Sequence, residues 1–431
     1  MKLPRPLLPL LPLLLLAGCV SAGPMRESLD SIARDYVKLQ LAIGEKEEGY
    51  IDAYYGPPEW QAEAKTDGST SAALAQRAGV LTVRLKSLAD GRLDPLERRR
   101  RDFLLAQLKA ASTRLAMIQG AKLPFADEAE ALFGVRPELK PLSHYDPILA
   151  RLERLVPGKG PLAERVDSFQ ERFTVPGDRL KPVFDSAIAE CRRRTLEHIP
   201  LPAKERFTLE FVTGKSWGGY NWYKGDSTSL IQVNTDLPTR IGRAVDLGCH
   251  EGYPGHHVYN ALLEEKLARG RGWVEYMVYP LYSPQSFIAE GSANYGIELA
   301  FPGDQKIRFE TEVLYPLAGL STRDAAAFAA LQESMKDLAG ARFTIARDYL
   351  EGRIDRPRAV ELVQKYQLVS RARAEQSVRF TEQYRSYVIN YGLGLDMVRA
   401  HVELAGPSQA ARWTRMEKIL SEPTLPSDLT R

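Results

Sequence analysis

The sequence predicts a mainly α protein, a large helical fold with a small β-sheet directly before a cluster of histidines. Three observations carry this. Apolar residues recur at three- and four-residue steps over most of the chain, the period of an amphipathic helix. Two short runs, 207–212 and 227–235, instead alternate and are rich in aromatic and β-branched residues, as strands are. The composition, 44% hydrophobic and 26% charged over 431 residues, is that of a globular chain long enough for a sizeable core.

The elements follow in order. Lys2 and Arg5 flank the start of an apolar stretch in which residues 7–16 are leucine and proline only. This is the pattern of a secretory leader, too short and too proline-broken to span a bilayer. Its end, Leu16-Ala17-Gly18-Cys19, resembles a bacterial lipobox. That resemblance implies a signal peptide over 1–18, cleavage before Cys19 and lipid on its thiol. The expected location is the cell envelope, with the membrane reached through Cys19. Val20, where an Asp would favour inner-membrane retention, points to the outer membrane facing the periplasm if the cell is Gram-negative. Residues 19–27 read as a tether.

Helical spacing then predicts helices over 28–43, 71–88, 95–118, 146–155, 161–173 and 176–199. Gly and Pro break the pattern over 50–58, and 124–141 is looser. Between the two strand-like runs, 214–219 reads as a turn and the glycine-rich stretch through Gly225 as a hairpin connection. Helical patterns resume at Pro238 and persist to the C-terminus. One domain over 28–431 is expected, with a helical N-terminal lobe over 28–200 and a second lobe over 201–431.

The net charge of +3 gives no reason to expect a nucleic-acid partner. The most basic run, Glu97-Arg98-Arg99-Arg100-Arg101-Asp102, reads as a solvated helix face. No Gly-x-Gly-x-x-Gly or P-loop pattern suggests a nucleotide. Gly214-Lys215-Ser216-Trp217-Gly218 fits the Gly-x-Ser-x-Gly nucleophile elbow, but no helix pattern follows it, so a serine nucleophile is not favoured. Cys191 and Cys249 could pair in an exported protein; two buried thiols are the preferred reading.

The chemistry concentrates in His250-Glu251-Gly252-Tyr253-Pro254-Gly255-His256-His257, which holds three of the six histidines. Imidazole and carboxylate together are a zinc ligand set. In the common His-Glu-x-x-His helix the histidines stand four residues apart and the Glu is general base. Here that fourth position is Pro254. In a regular helix His256 and His257 would lie about 9 and 10.5 Å along the axis from His250, too far to share one ion. Pro254 and Gly255 therefore have to kink the chain and bring His256 to the metal, with His257 as the alternative ligand. Cys249 reads as packing. Glu290 shares a helix face with Phe287, Ala293, Asn294 and Ile297, and a carboxylate among apolar neighbours needs a partner or a metal. Two His and one Glu leave a coordination position open, as catalytic zinc requires. Glu251 would take a proton from water and pass it to the leaving group. Asn234 and Thr235, on an edge strand before the histidines, are candidate substrate contacts, and Tyr391 or Tyr387 a candidate oxyanion donor.

The histidine motif resembles the bacterial domain of unknown function 885, marked by His-Glu-x-x-Pro-Gly-His-His and similar in turn to Glu-zincin metallopeptidases. Glu290-Gly291-Ser292-Ala293-Asn294-Tyr295 matches the family's Glu-Gly-Trp-Ala-x-Tyr except for Ser292. Asn390-Tyr391-Gly392-Leu393-Gly394 is the nearest match to its Ser-Tyr-x-x-Gly. The resemblance implies a largely helical metallopeptidase-like fold and an envelope lipoprotein, with one zinc ion and a peptide or other small substrate. The serine in place of tryptophan bears on the substrate pocket rather than the metal. Two rival readings stay open: a zinc amidase or esterase on a non-peptide substrate, and a non-catalytic, metal-stabilised binding lipoprotein.

Overall fold

The computed structural model describes residues 28–430. The leader, Cys19 and the tether lie outside the described residues. The chain is mostly helical with a small amount of β-structure. Helix α1 (Leu29–Gly44) starts where the Ser28 hydroxyl accepts the Ser31 N–H, an N-cap that satisfies one otherwise orphaned amide. It buries Ile32, Tyr36, Val37 and Ile43. Helix α2 (Pro95–Ile118) opens with a capping box, Asp94 with Glu97, and Pro95 in its first turn.

The basic run sits in α2, but it is not wholly a solvated face. Arg100 is buried, donates to both oxygens of Glu275 and lies over the Trp273 ring. A buried guanidinium is tolerable because its carboxylate partner is buried with it. With Phe103 stacked on Tyr276 at 4.9 Å, this pair ties the early helices to the second half of the chain. The main core accordingly draws on both sides of residue 200, so packing does not divide the chain there. A second, smaller core gathers Leu152 and Val166 with Ile345, Val363 and Val378.

Two small sheets flank the site. Strand β1 (Ile51–Tyr54) pairs antiparallel with β5 (Val278–Pro280). Between them in sequence, β2 (Arg206–Val212), β3 (Gly219–Gly225) and β4 (Thr228–Asn234) form a sheet in the order β2-β4-β3. β4 is central, parallel to β2 and antiparallel to β3. The stretch 213–218 is thus no hairpin turn; it carries the chain from one edge of the sheet to the other. The true hairpin turn is Asp226-Ser227, both left-handed (φ 53° and 52°), as a two-residue connection requires. The Glu264 carboxylate accepts both of their amides.

The site is built by six further helices: α3 (Leu180–Leu196), α4 (Gly242–Leu247), α5 (His256–Leu263), α6 (Pro284–Ala300), α7 (Ala341–Leu350) and α8 (Ile389–Glu403). Cys191 on α3 and Cys249 form a disulfide with Cα atoms 5.4 Å apart, correcting the expectation of two buried thiols. Among the described residues no helix is long and apolar enough to cross a membrane.

Candidate metal centre

Helix α4 runs into a widened turn, Gly248–Gly252, which carries His250 and Glu251. Its hydrogen bonds are long in register: Tyr253 N–H reaches Gly248 O five residues back, and Gly255 N–H reaches Cys249 O six back. The Tyr253–Pro254 peptide is cis, and α5 begins at His256. Only glycine fits at 255, where a Cβ would stand 1.7 Å from His250 O. The kink docks in a notch on α6, where a Cβ at Gly296 would lie 2.8 Å from Pro254 Cγ. The result places His256 Nε2 3.1 Å from His250 Nε2.

Glu290 arrives from α6. Its Oε2 is 3.2 Å from His250 Nε2 and its Oε1 3.7 Å from His256 Nε2. The Tyr387 hydroxyl donates to Oε1 at 2.8 Å and orients the carboxylate. Asn294, one turn on, donates to both Glu290 O and Tyr391 O, stitching α6 to α8. The two helices touch backbone to backbone: a Cβ at Gly291 would lie 2.5 Å from Gly394 O. The glycines of the two weaker sequence motifs are therefore one crossing point, which brings the Tyr387–Tyr391 segment to Glu290.

One ligand atom from each of His250, His256 and Glu290 falls within 4.8 Å of the others. Glu290 Oε2 is buried, and apart from its 3.2 Å approach to His250 Nε2 it has no partner. Two imidazole nitrogens facing each other beside a carboxylate oxygen form a set of converging lone pairs, and a divalent cation satisfies all three. Without one, charge is held by a proton. Burial works against a charged His256 ring, but the Glu290 carboxylate outweighs it and pushes the ring up to about 9. Burial likewise disfavours ionised Glu290, yet His256 and His250 hold it well below the usual carboxylate range. The residues present fit a zinc ion.

His257 is not in this set. Its Nδ1 meets Ser229 Oγ at 2.8 Å and its Nε2 meets Glu205 Oε2 at 3.0 Å. Both nitrogens are used in a sealed network that joins α5 to the sheet, so the alternative-ligand reading falls.

Glu251 is buried beside the cluster, and burial raises its carboxyl above the ordinary range against the pull of His250 and His256. Asn221 of β3 donates to Glu251 O at 2.7 Å, fixing the strand to the turn. A Cβ at Gly219 would lie 2.8 Å from Glu251 Oε1, so bare backbone is what fits there. Glu251, the three clustered residues and Tyr391 all line one cavity of about 1700 Å³. Tyr391 lies nearly parallel to His250 (ring centroids 6.3 Å apart), and the Arg342 guanidinium carbon is 5.8 Å from its ring centroid.

The strand expected at a substrate edge, β4, is the middle of its sheet, with both sides already paired. Asn234 lines the cavity, but its amide nitrogen is committed to Lys215 O and Trp217 O. The Thr235 hydroxyl donates to Val212 O. The edge beside Glu251 is β3. Because Asn234 N–H bonds Gly218 O, alternation along the antiparallel pair turns the Gly219 and Asn221 backbone groups to the free side. Ser216 precedes a strand, not a helix, and bonds Gln383, so no nucleophile elbow forms. Ser292 is buried and donates to Ala289 O rather than lining the cavity.

Sequence reasoning missed Asp52, Tyr220 and Arg342, which also line the cavity. Tyr220 donates to Asp52, whose carboxyl burial pushes up to about 6 despite that bond. The only sequence signal for Asp52 was the aromatic segment 50–56, read as a break.

No family model matches the chain, and no curated protein matches it. The resemblance to the domain of unknown function 885 thus rests on the motif residues alone. Among solved structures, the chain is similar to a protein of Colwellia psychrerythraea described provisionally as a lipoprotein. The TM-score is 0.51 at 15% identity, over 86% of this chain and 68% of that one. This likeness is one of fold. Weaker likenesses are to a structure named BsuCP (TM-score 0.44, 14% identity, 91% and 88% covered) and to an M32 carboxypeptidase from Deinococcus radiodurans R1 (0.40, 13%, 93% and 92%).

Proposed function

We propose that the protein is a zinc-dependent metallopeptidase of the cell envelope, anchored by lipid on Cys19. The observation that carries the reading is the convergence of the His250 and His256 Nε2 atoms with the Glu290 carboxylate, and a second buried carboxylate, Glu251, in the same cavity. His250, His256 and Glu290 would hold the ion. Zinc bound there would supply Lewis acidity, polarising a substrate carbonyl and acidifying water.

The remaining work falls to the chain's own groups. Glu251, raised by burial, accepts a proton from water and returns it to the departing nitrogen. The Tyr391 hydroxyl, held un-ionised chiefly by burial, can donate to the carbonyl oxygen as it gains charge. Tyr387 is spent on Glu290 and positions it. An extended peptide pairs with the free edge of β3, where Gly219 leaves room beside Glu251.

The test combines elemental analysis of protein purified without added metal with mass-spectrometric digestion of a peptide mixture. We expect one zinc per chain, and cuts that disappear on chelation. Glu251→Gln should keep the zinc and lose roughly 100- to 10,000-fold in rate. A variant that keeps full activity, or a protein with zinc that cuts no peptide, would turn the reading to a non-catalytic role or a non-peptide substrate.

A further inference from the structure

Several cations line the cavity without a part in the metal chemistry, and Arg342 differs from the others in its pairing. The side chain of Arg342, on α7, makes no hydrogen bond or ion pair among the described residues, and its Nε is buried without a partner. Its guanidinium lies over two rings, 5.1 Å from the Phe380 centroid and 5.8 Å from that of Tyr391. The other cations along the same wall are mostly answered. Lys306 pairs with Asp246 and Glu310, Lys336 with Glu298 and Glu333, and Arg399 with Glu298 and Asp396. Arg240 pairs with Asp167. Arg243 is exposed to water, and Arg373 donates to Pro238 O. Arg342 is half-buried, with its Nε closed off from water and no ion pair; such a buried, unpartnered polar atom is costly, and a carboxylate brought by a ligand would answer it.

Position narrows what that acid is. The Tyr391 centroid is 5.8 Å from the Arg342 guanidinium carbon and 6.3 Å from the His250 centroid, so one short extended segment, at about 3.3–3.6 Å per residue, reaches both. The carboxylate in its field, Glu290, is turned to the two histidines. The fork of a guanidinium matches a carboxylate, and the Phe380 and Tyr391 faces fix its plane.

We propose that Arg342 is the subsite for a substrate carboxylate, so that the peptides cut here are anchored by an anionic group a short stretch of chain from the bond that breaks. This rests on the metallopeptidase reading. Two sources share the chemistry, a free C-terminus and an acidic side chain.

The experiment uses matched peptides: free acid and C-terminal amide, each with and without an Asp or Glu near the C-terminus. Cleavage is followed with the zinc-loaded protein, and binding with the Glu251→Gln variant by calorimetry. We expect kcat/KM and affinity to favour the carboxylate-bearing peptide by about ten- to a hundredfold. Arg342→Gln should bring that ratio close to one, while Arg342→Lys retains part of it. A preference that follows the free acid assigns the chain terminus; one that follows Asp or Glu assigns the side chain. Equal handling of all four peptides by the unaltered protein, or a ratio unchanged in a folded Arg342→Gln, overturns the subsite and leaves the peptidase reading standing. Failure to cut or bind any peptide overturns both.

Discussion

Replacing His256 by alanine removes a ring nitrogen that faces His250 and Glu290, whereas replacing His257 cuts the link between Ser229 and Glu205. The two variants should therefore separate. His256→Ala should lose the metal with its fold retained. His257→Ala should keep the metal but lose roughly 2–4 kcal/mol, because it removes the buried partner of Ser229 and opens a void. Elemental analysis beside denaturant unfolding reads both. Gly219→Ala is a subtler probe: its Cβ would press on Glu251 and Leu247. We expect kcat to fall by up to about a hundredfold with zinc content unchanged, since small misplacements of a catalytic group are costly. At this scale His250, Glu251, His256 and Glu290 were legible, because ligand chemistry and a local break in helix period leave marks in a short string. Arg342 and Asp52 were not. A lone Arg in a helix and a lone Asp beside aromatics acquire meaning only from what folds against them.

The α6–α8 crossing depends on two glycines. With Gly291 against Gly394 the helices approach to backbone contact, and that proximity lets Tyr387 reach Glu290 and Asn294 reach Tyr391 O. Gly291→Ala or Gly394→Ala should push them apart, costing about 1–3 kcal/mol as overpacking does. Either should also weaken metal binding, because Glu290 loses its orienting hydroxyl. Thermal unfolding and a zinc competition titration measure the two effects, and a loss of stability with unchanged zinc affinity would separate the crossing from the site. Long helices with clear start signals were read well: α2, opened by Pro95 after Asp94, was predicted at 95–118 and is found there. The short strands were not. β1 is four residues containing an Asp, and β3 is bounded by glycines that read as turn, so each is defined by its partner strand rather than by its own pattern. The sheet order, which moves the substrate edge from β4 to β3, is likewise a tertiary fact.

For the molecule as a whole, the disulfide joins α3 to the turn that holds the ligands. Reduction should lower stability by roughly 2–5 kcal/mol, the usual cost of losing a native bridge. Unfolding curves with and without a thiol reductant test this, and coincident curves would mean the bridge is not formed in solution. Two spaced cysteines do not announce a pair, since proximity is set by how α3 packs on the following segment.

Cys249 is the residue immediately before His250, so the bridge also bears on when the centre matures. In a reducing cytosol the newly made chain would carry its ligand turn untethered. On the proposed route out of the cell, thiols pair only in an oxidising compartment, and there the bridge would fasten that turn to α3.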